Sequence, residues 1–149
     1  MFLAVDNGKK LSGQLFYIKS EYSFDVRPSR NSDITLMLDF LYLGFDSETM
    51  LAQQVWGYNP YVTWNERNLI SPCYFVGELR LQELFEPGTS NQLKEKWDTS
   101  YDSKTGWLCI GNEKHSKNDI GVEFANDIIA VVADTGELKS IWLKPYIQE

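Results

Sequence analysis

One histidine, two cysteines and an excess of acids define the reactive chemistry of this 149-residue chain: 21 Asp and Glu stand against 14 Lys and Arg, a formal net charge of −7. Nucleophilic catalysis needs a base beside its nucleophile, most often histidine. The single histidine, His115, lies in the polar stretch GNEKHSKND, where it reads as a solvated loop residue. His115 with Asp119 is the one local pair of ligating types, and Lys114 and Lys117 oppose a cation there, so no metal is expected. Glu123 with Asp127, and Asp98 with Asp102, supply the two carboxylates that glycoside hydrolysis uses. Spacing alone does not make such a site, because pairs of this kind arise by chance in an acidic chain and ordinarily face water. Cys73 and Cys109 are 36 positions apart with no CxxC, which excludes a zinc knuckle and a redox pair and leaves two free thiols, expected to be buried. Neither GxxxxGK[ST] nor GxGxxG occurs, and SKTG at 103–106 lacks the preceding glycine and strand, so no nucleotide or other cofactor is expected.

The charge narrows the partners. A net charge of −7 repels nucleic-acid phosphates and anionic lipid, whose affinity comes mainly from Lys and Arg, and attracts a basic protein. The excess is uneven: residues 1–70 hold 8 acids and 6 bases, net −2, and residues 71–149 hold 13 acids and 8 bases, net −5. Asp98, Asp102, Glu113, Asp119, Glu123 and Asp127 are the candidates for an acidic face that steers such a partner. A solvated surface that keeps the protein soluble is the plainer alternative. The aromatic residues give a second candidate surface. Trp56, Tyr58, Tyr61 and Trp64 cluster around Pro60, more densely than a core requires, without the basic companions of an RNA-stacking sheet. They either stabilise a long connection or anchor a protein interface.

The elements that must position these residues follow from pattern. The chain length and 43% hydrophobic content fit one globular domain over 1–149. Phe2–Val5 and Leu15–Ile18 read as strands, and Ile34–Phe45, apolar on both faces, as one central strand. Asp46, Ser47 and Glu48 form an N-cap signature before TMLAQQVW, which predicts a short helix. Gly57–Pro72 reads as an irregular surface segment, Cys73–Leu84 as a strand, EPGTS as a turn, Asn91–Trp97 as a helical turn or two, and Trp107–Ile110 as a strand. Ile128–Ala133 and Leu138–Leu143 flank Asp134, Thr135 and Gly136, which predicts an antiparallel hairpin, with Lys139 and Lys144 leaving its second strand the more exposed. The predicted fold is therefore α+β, a mostly antiparallel sheet of five to seven strands with one or two helices packed on it. MFLAVDNGKK has the reverse order of a secretory signal, no Asn-x-Ser/Thr sequon occurs and no apolar run is long enough for a membrane helix, so a cytoplasmic protein is expected.

The closing stretch GVEFANDIIAVVADTGELKSIWLKP, with PCYFVGELRLQELFEPGTS upstream, resembles the immunity proteins of bacterial contact-dependent inhibition and other polymorphic-toxin systems. The resemblance covers roughly the second half of the chain and rests on a style of strands and turns. It implies a small cytoplasmic protein, not an enzyme, that binds the C-terminal domain of its cognate toxin, often a basic nuclease, and blocks it. Two other readings remain at this point. One is a small hydrolase or metal-dependent enzyme using Glu123, Asp127 or His115, and the other is an accessory subunit anchored by Trp56–Trp64.

Overall fold

Sixteen short strands account for nearly all the regular structure in a computed structural model that describes residues 1–83, 85–93 and 96–149. In chain order they are β1 (Phe2–Val5), β2 (Gln14–Ile18), β3 (Ser23–Arg27), β4 (Ile34–Leu38), β5 (Leu41–Phe45), β6 (Ala52–Tyr58), β7 (Asn65–Glu66) and β8 (Tyr74–Val76). There follow β9 (Glu78–Leu81), β10 (Thr89–Gln92), β11 (Thr99–Tyr101), β12 (Leu108–Gly111), β13 (Ile120–Ala125), β14 (Ile128–Val132), β15 (Leu138–Leu143) and β16 (Tyr146–Gln148). They form sheet I, in the order β10-β4-β5-β6-β3-β2-β16, sheet II, in the order β7-β11-β12-β15-β14-β13-β8, and a two-stranded ribbon of β1 and β9. One apolar core takes buried side chains from both large sheets and from the ribbon, so the sheets face each other as a β-sandwich.

The predicted α+β class is thus overturned. Among the described residues helical geometry is confined to two 3-10 turns, Lys19–Glu21 and Tyr61–Thr63. None of these helices is long and apolar enough to cross a membrane. The expected helix after Asp46 fails for a local reason. Asp46 Oδ1 does accept the Glu48 N–H (3.0 Å), but Met50 turns left-handed (φ 62°) and ends the segment after one turn, and Asp46 N–H to Leu51 O (3.1 Å) closes the β5–β6 hairpin. An acid that caps a helix caps a tight turn equally well, and Val55, Trp56 and Tyr58 then favour strand. The expected central strand Ile34–Phe45 is two strands, folded back at Asp39 (φ 56°), so that Leu38 pairs with Leu41 and Ile34 with Phe45. Cys73–Leu84 divides at Gly77, with β8 on β13 in sheet II and β9 on β1 in the ribbon; Leu84 lies outside the described residues. Of Asn91–Trp97, the first two residues belong to β10 and Trp97 is buried, while positions 94 and 95 lie outside the described residues.

The C-terminal hairpin forms as expected: β14 and β15 pair antiparallel, Ala133 N–H donating to Glu137 O across the turn. Its second strand is not the exposed one, however. β15 sits in the middle of sheet II between β12 and β14 with Leu138 and Ser140–Leu143 buried, and the Lys139 ammonium is drawn onto Asp119 (2.6 Å). The sheet margins share one design. Each outermost strand, β10, β16, β7 and β8, has two to four residues and runs parallel to its neighbour, whereas the interior pairs are antiparallel. Very short edge strands leave little unpaired backbone to recruit another sheet.

Sheet II also has an apolar outer face, with Cys109, Ile129, Val131 and Trp142 buried under Leu69 and Trp107. Leu69 belongs to a strap, residues 67–73, drawn mostly from the segment Gly57–Pro72 expected to be irregular. The strap is fastened by Arg67 N–H to Tyr101 O (2.9 Å), Leu69 N–H to Asp102 Oδ2 (3.0 Å) and His115 Nε2 to Ile70 O (2.7 Å). Truncating Trp142 to Ala beneath it would cost about 3–5 kcal/mol.

Candidate functional site

The predicted aromatic cluster is assembled at one end of the sandwich around a polar residue, Asn59. Its N–H donates to Tyr22 O (2.7 Å), its carbonyl accepts the Tyr17 hydroxyl (2.6 Å), its Nδ2 donates to Thr99 Oγ1 (2.9 Å) and its Oδ1 accepts the Trp64 indole N–H (2.8 Å). One residue, through its backbone and its side chain, therefore ties β2, the residue before β3, β11 and the segment after β6 together. Gly57 lets β6 reach this position: at φ 128° it passes so close to Phe40 O that a Cβ would overlap it. Pro60 then leads into the 3-10 turn Tyr61–Thr63, whose Thr63 hydroxyl donates back to Pro60 O (2.8 Å).

On this frame the rings form a continuous chain. Phe40 meets Tyr58 (6.5 Å between centroids), Tyr58 meets Tyr22 (6.1 Å), Tyr22 meets Tyr61 (5.6 Å), Tyr61 meets Trp64 (6.5 Å) and Trp64 meets Tyr101 (5.1 Å). Trp64 is rooted on Tyr17 (4.7 Å) and stacks on Phe24. Burial pushes the Tyr17 phenol up to about 12, so it donates its hydrogen bond throughout the neutral range. The outer members are open: Phe40 is 64% exposed, Val62 70%, Tyr58 49% and Tyr61 37%. Four of the sequence-predicted aromatics thus divide three to one. Tyr58, Tyr61 and Trp64 meet, whereas Trp56 packs on Tyr42 of β5 (5.5 Å) beside Gln54 and Ser32. Tyr17, Tyr22, Phe40 and Tyr101 were not singled out from the sequence; they come from distant strands, and no local pattern marks them.

Two depressions flank the chain of rings. A cleft of about 270 Å³ lies between the margins of the two sheets, walled by Tyr17, Tyr61, Trp64 and Tyr101 with Lys19 and Glu66 at its sides. A second recess, of about 370 Å³, runs between the Asp39–Phe40 turn, Tyr58–Pro60 and Trp97–Thr99. The exposed acids Asp39, Glu66 and Asp98 line these features.

The acidic candidates have mostly been taken up by the fold. Asp102 is buried and accepts N–H groups from Leu69 and Lys104, and these hydrogen bonds hold its carboxyl below the usual carboxylate range. Glu113 pairs with Arg67 (2.7 Å) at the base of the strap. Burial acts to raise Asp119, but the Lys139 ammonium and the Ser116 N–H outweigh it and leave the carboxyl lowered. Glu123, buried on β13, takes Lys10 on one oxygen (2.9 Å) and the Asp127 N–H on the other (3.0 Å). Asp127 is exposed in a left-handed turn (φ 63°), and desolvation, then the Glu123 carboxylate, raise its carboxyl. Asp98 is exposed with Lys96 at 3.9 Å.

Only Glu123 and Asp127 of these six touch each other, around a backbone turn and not across a cleft. The His115 ring packs on Trp142 (5.5 Å); because a carbonyl can only accept, its Nε2 carries the proton given to Ile70 O. Of the thiols expected to be buried, Cys109 is and Cys73 is not. Among the described residues no three His, Cys, Asp or Glu side chains converge as a metal site would require. No protein-family model matches the chain, and no curated protein is similar to it in sequence.

Proposed function

We propose that this chain is a cytoplasmic immunity protein that binds the C-terminal domain of a cognate toxin, a basic protein and often a nuclease, and neutralises it without catalysis of its own. The observation that carries the reading is the exposed aromatic end, where Phe40, Tyr58, Tyr61 and Val62 project from a frame locked by Asn59. Tyrosine and tryptophan dominate interface energetics because they bury large areas at small entropic cost, and a fixed frame lowers that cost further. Asp39, Glu66 and Asp98 beside the rings suit a basic partner and would speed its approach. The resemblance of the second half to immunity proteins supplies the partner's class. The reading predicts a toxin gene beside this one, and the test is co-expression with that toxin's C-terminal domain: the chain should restore growth, and Tyr58→Ala with Val62→Asp should abolish rescue while leaving the thermal midpoint within a few degrees. Growth arrest despite abundant wild-type protein would refute the proposal.

A further inference from the structure

The cleft between the sheet margins has the composition of a cation cage. Tyr61, Trp64 and Tyr101 present ring surfaces to one small volume, with the buried Tyr17 as its floor. Glu66 stands beside Tyr101 because β7 and β11 pair in parallel register, Glu66 opposite Tyr101. The Ser103 N–H fixes Glu66 Oε2 (3.0 Å), and among the described residues the carboxylate has no ion-pair partner. Aromatic faces attract cations through their quadrupole, and a carboxylate alongside adds a charge-assisted hydrogen bond. The cleft already demonstrates this preference: Lys19 Nζ lies 4.8 Å over the Tyr61 ring, its charge shared with Glu149 (3.6 Å). At about 270 Å³ the volume suits one long side chain and falls short of the roughly 300–1,000 Å³ of drug-sized pockets.

We infer that this cleft is an arginine-binding site, in which a guanidinium from a basic protein partner stacks on the Tyr61 ring beside Trp64 and donates to Glu66, displacing Lys19. Arginine suits it better than lysine because a planar guanidinium can stack on a ring and reach a carboxylate at the same time. The inference rests on the proposed function for the identity of the partner, but the site is measurable without one.

The experiment is a nuclear magnetic resonance titration of the ¹⁵N-labelled full chain with N-acetyl-arginine amide, read at the Trp64 indole N–H, which is fixed on Asn59. Saturable shifts at Trp64, Tyr61 and Tyr101 are expected, with the neutral isostere N-acetyl-citrulline amide binding about tenfold more weakly. Glu66→Gln should weaken arginine binding by a comparable factor, and Lys19→Gln should strengthen it by removing the resident cation. An unchanged Trp142 indole signal certifies that each variant is folded. Equal binding of the citrulline probe, shifts confined to other surfaces, or tighter binding of tetramethylammonium than of the arginine probe would overturn the assignment. Arginine binding without toxin capture would remove the functional reading and leave the site; toxin capture without arginine binding, indifferent to Glu66→Gln, would do the reverse.

Discussion

The two thiols sit in opposite environments, and the contrast makes them reporters. Cys109 lies at 0% exposure under the strap, and burial, reinforced by the Glu113 charge and opposed by the Ser140 hydrogen bond, pushes its thiol up to about 12. Cys73 is exposed at the strap's end. Since the thiolate is the reactive form, a disulfide reagent at neutral pH should consume one thiol promptly, at Cys73, and the second only at the rate at which the outer face of sheet II opens. Two fast thiols would show that the strap does not protect that face. Residue types were legible in the sequence here, but environments were not. Glu123 reads as a solvated acid until Lys10, 113 positions away, arrives beside it, and Asp119 until β15 brings Lys139. Such pairings are created by the fold and leave no local signature.

At the scale of elements, turns decide the class of this fold. Gly77 is where the chain leaves sheet II for the ribbon: β8 ends at Val76, the Gly77 N–H donates to Glu123 O (3.2 Å), and a Cβ at this position would overlap Val5 O. Gly77→Ala must push β1 off β9 or β13, so it should destabilise by about 1–3 kcal/mol, measured by urea unfolding; an unchanged midpoint would mean that the ribbon is not held at this point. The β14–β15 hairpin was readable because both its strands and its Gly-containing turn are contiguous. The Ile34–Phe45 and Asp46–Trp56 stretches misled for one shared reason. Their direction changes occur at Asp39 and Met50, residues that adopt left-handed backbone without the glycine that would announce it. Of the parallel edge strands only β8, inside the predicted strand Cys73–Leu84, was legible; β7, β10 and β16 have two to four residues, too few to carry a period.

The whole molecule is a sandwich with one covered outer face, at sheet II, and one exposed aromatic end, and its charge acts on both. Asp102 and Asp119, which help fasten the loops over sheet II, have carboxyls lowered below their unfolded range, so their contribution is present above that range and is lost as pH falls through the folded values. Asp127 is raised and runs the other way, favouring the folded state at low pH and ceasing to as pH rises. Asp102→Asn should therefore lower the thermal midpoint at pH 7 and flatten its decline below about pH 4; a decline as steep as wild type would assign the acid sensitivity elsewhere. Of the acids that the sequence places after residue 70, Asp102 and Glu123 are buried and Glu113 and Asp119 are half-buried, while Glu83, Glu86, Asp98, Asp127, Asp134, Glu137 and Glu149 stay exposed, and the acids beside the rings, Asp39, Glu66 and Asp98, come from both halves of the chain. The proposed toxin-binding role would rest on the aromatic end together with the acids beside it. The most direct measurement is a calorimetric titration of the purified chain with the C-terminal domain of the proposed cognate toxin at low and high salt, for the wild type and for Tyr58→Ala with Val62→Asp. Tight binding that weakens with salt and is lost in the double variant is the predicted result. No binding by the wild type, or binding that the double variant retains in full, would contradict it.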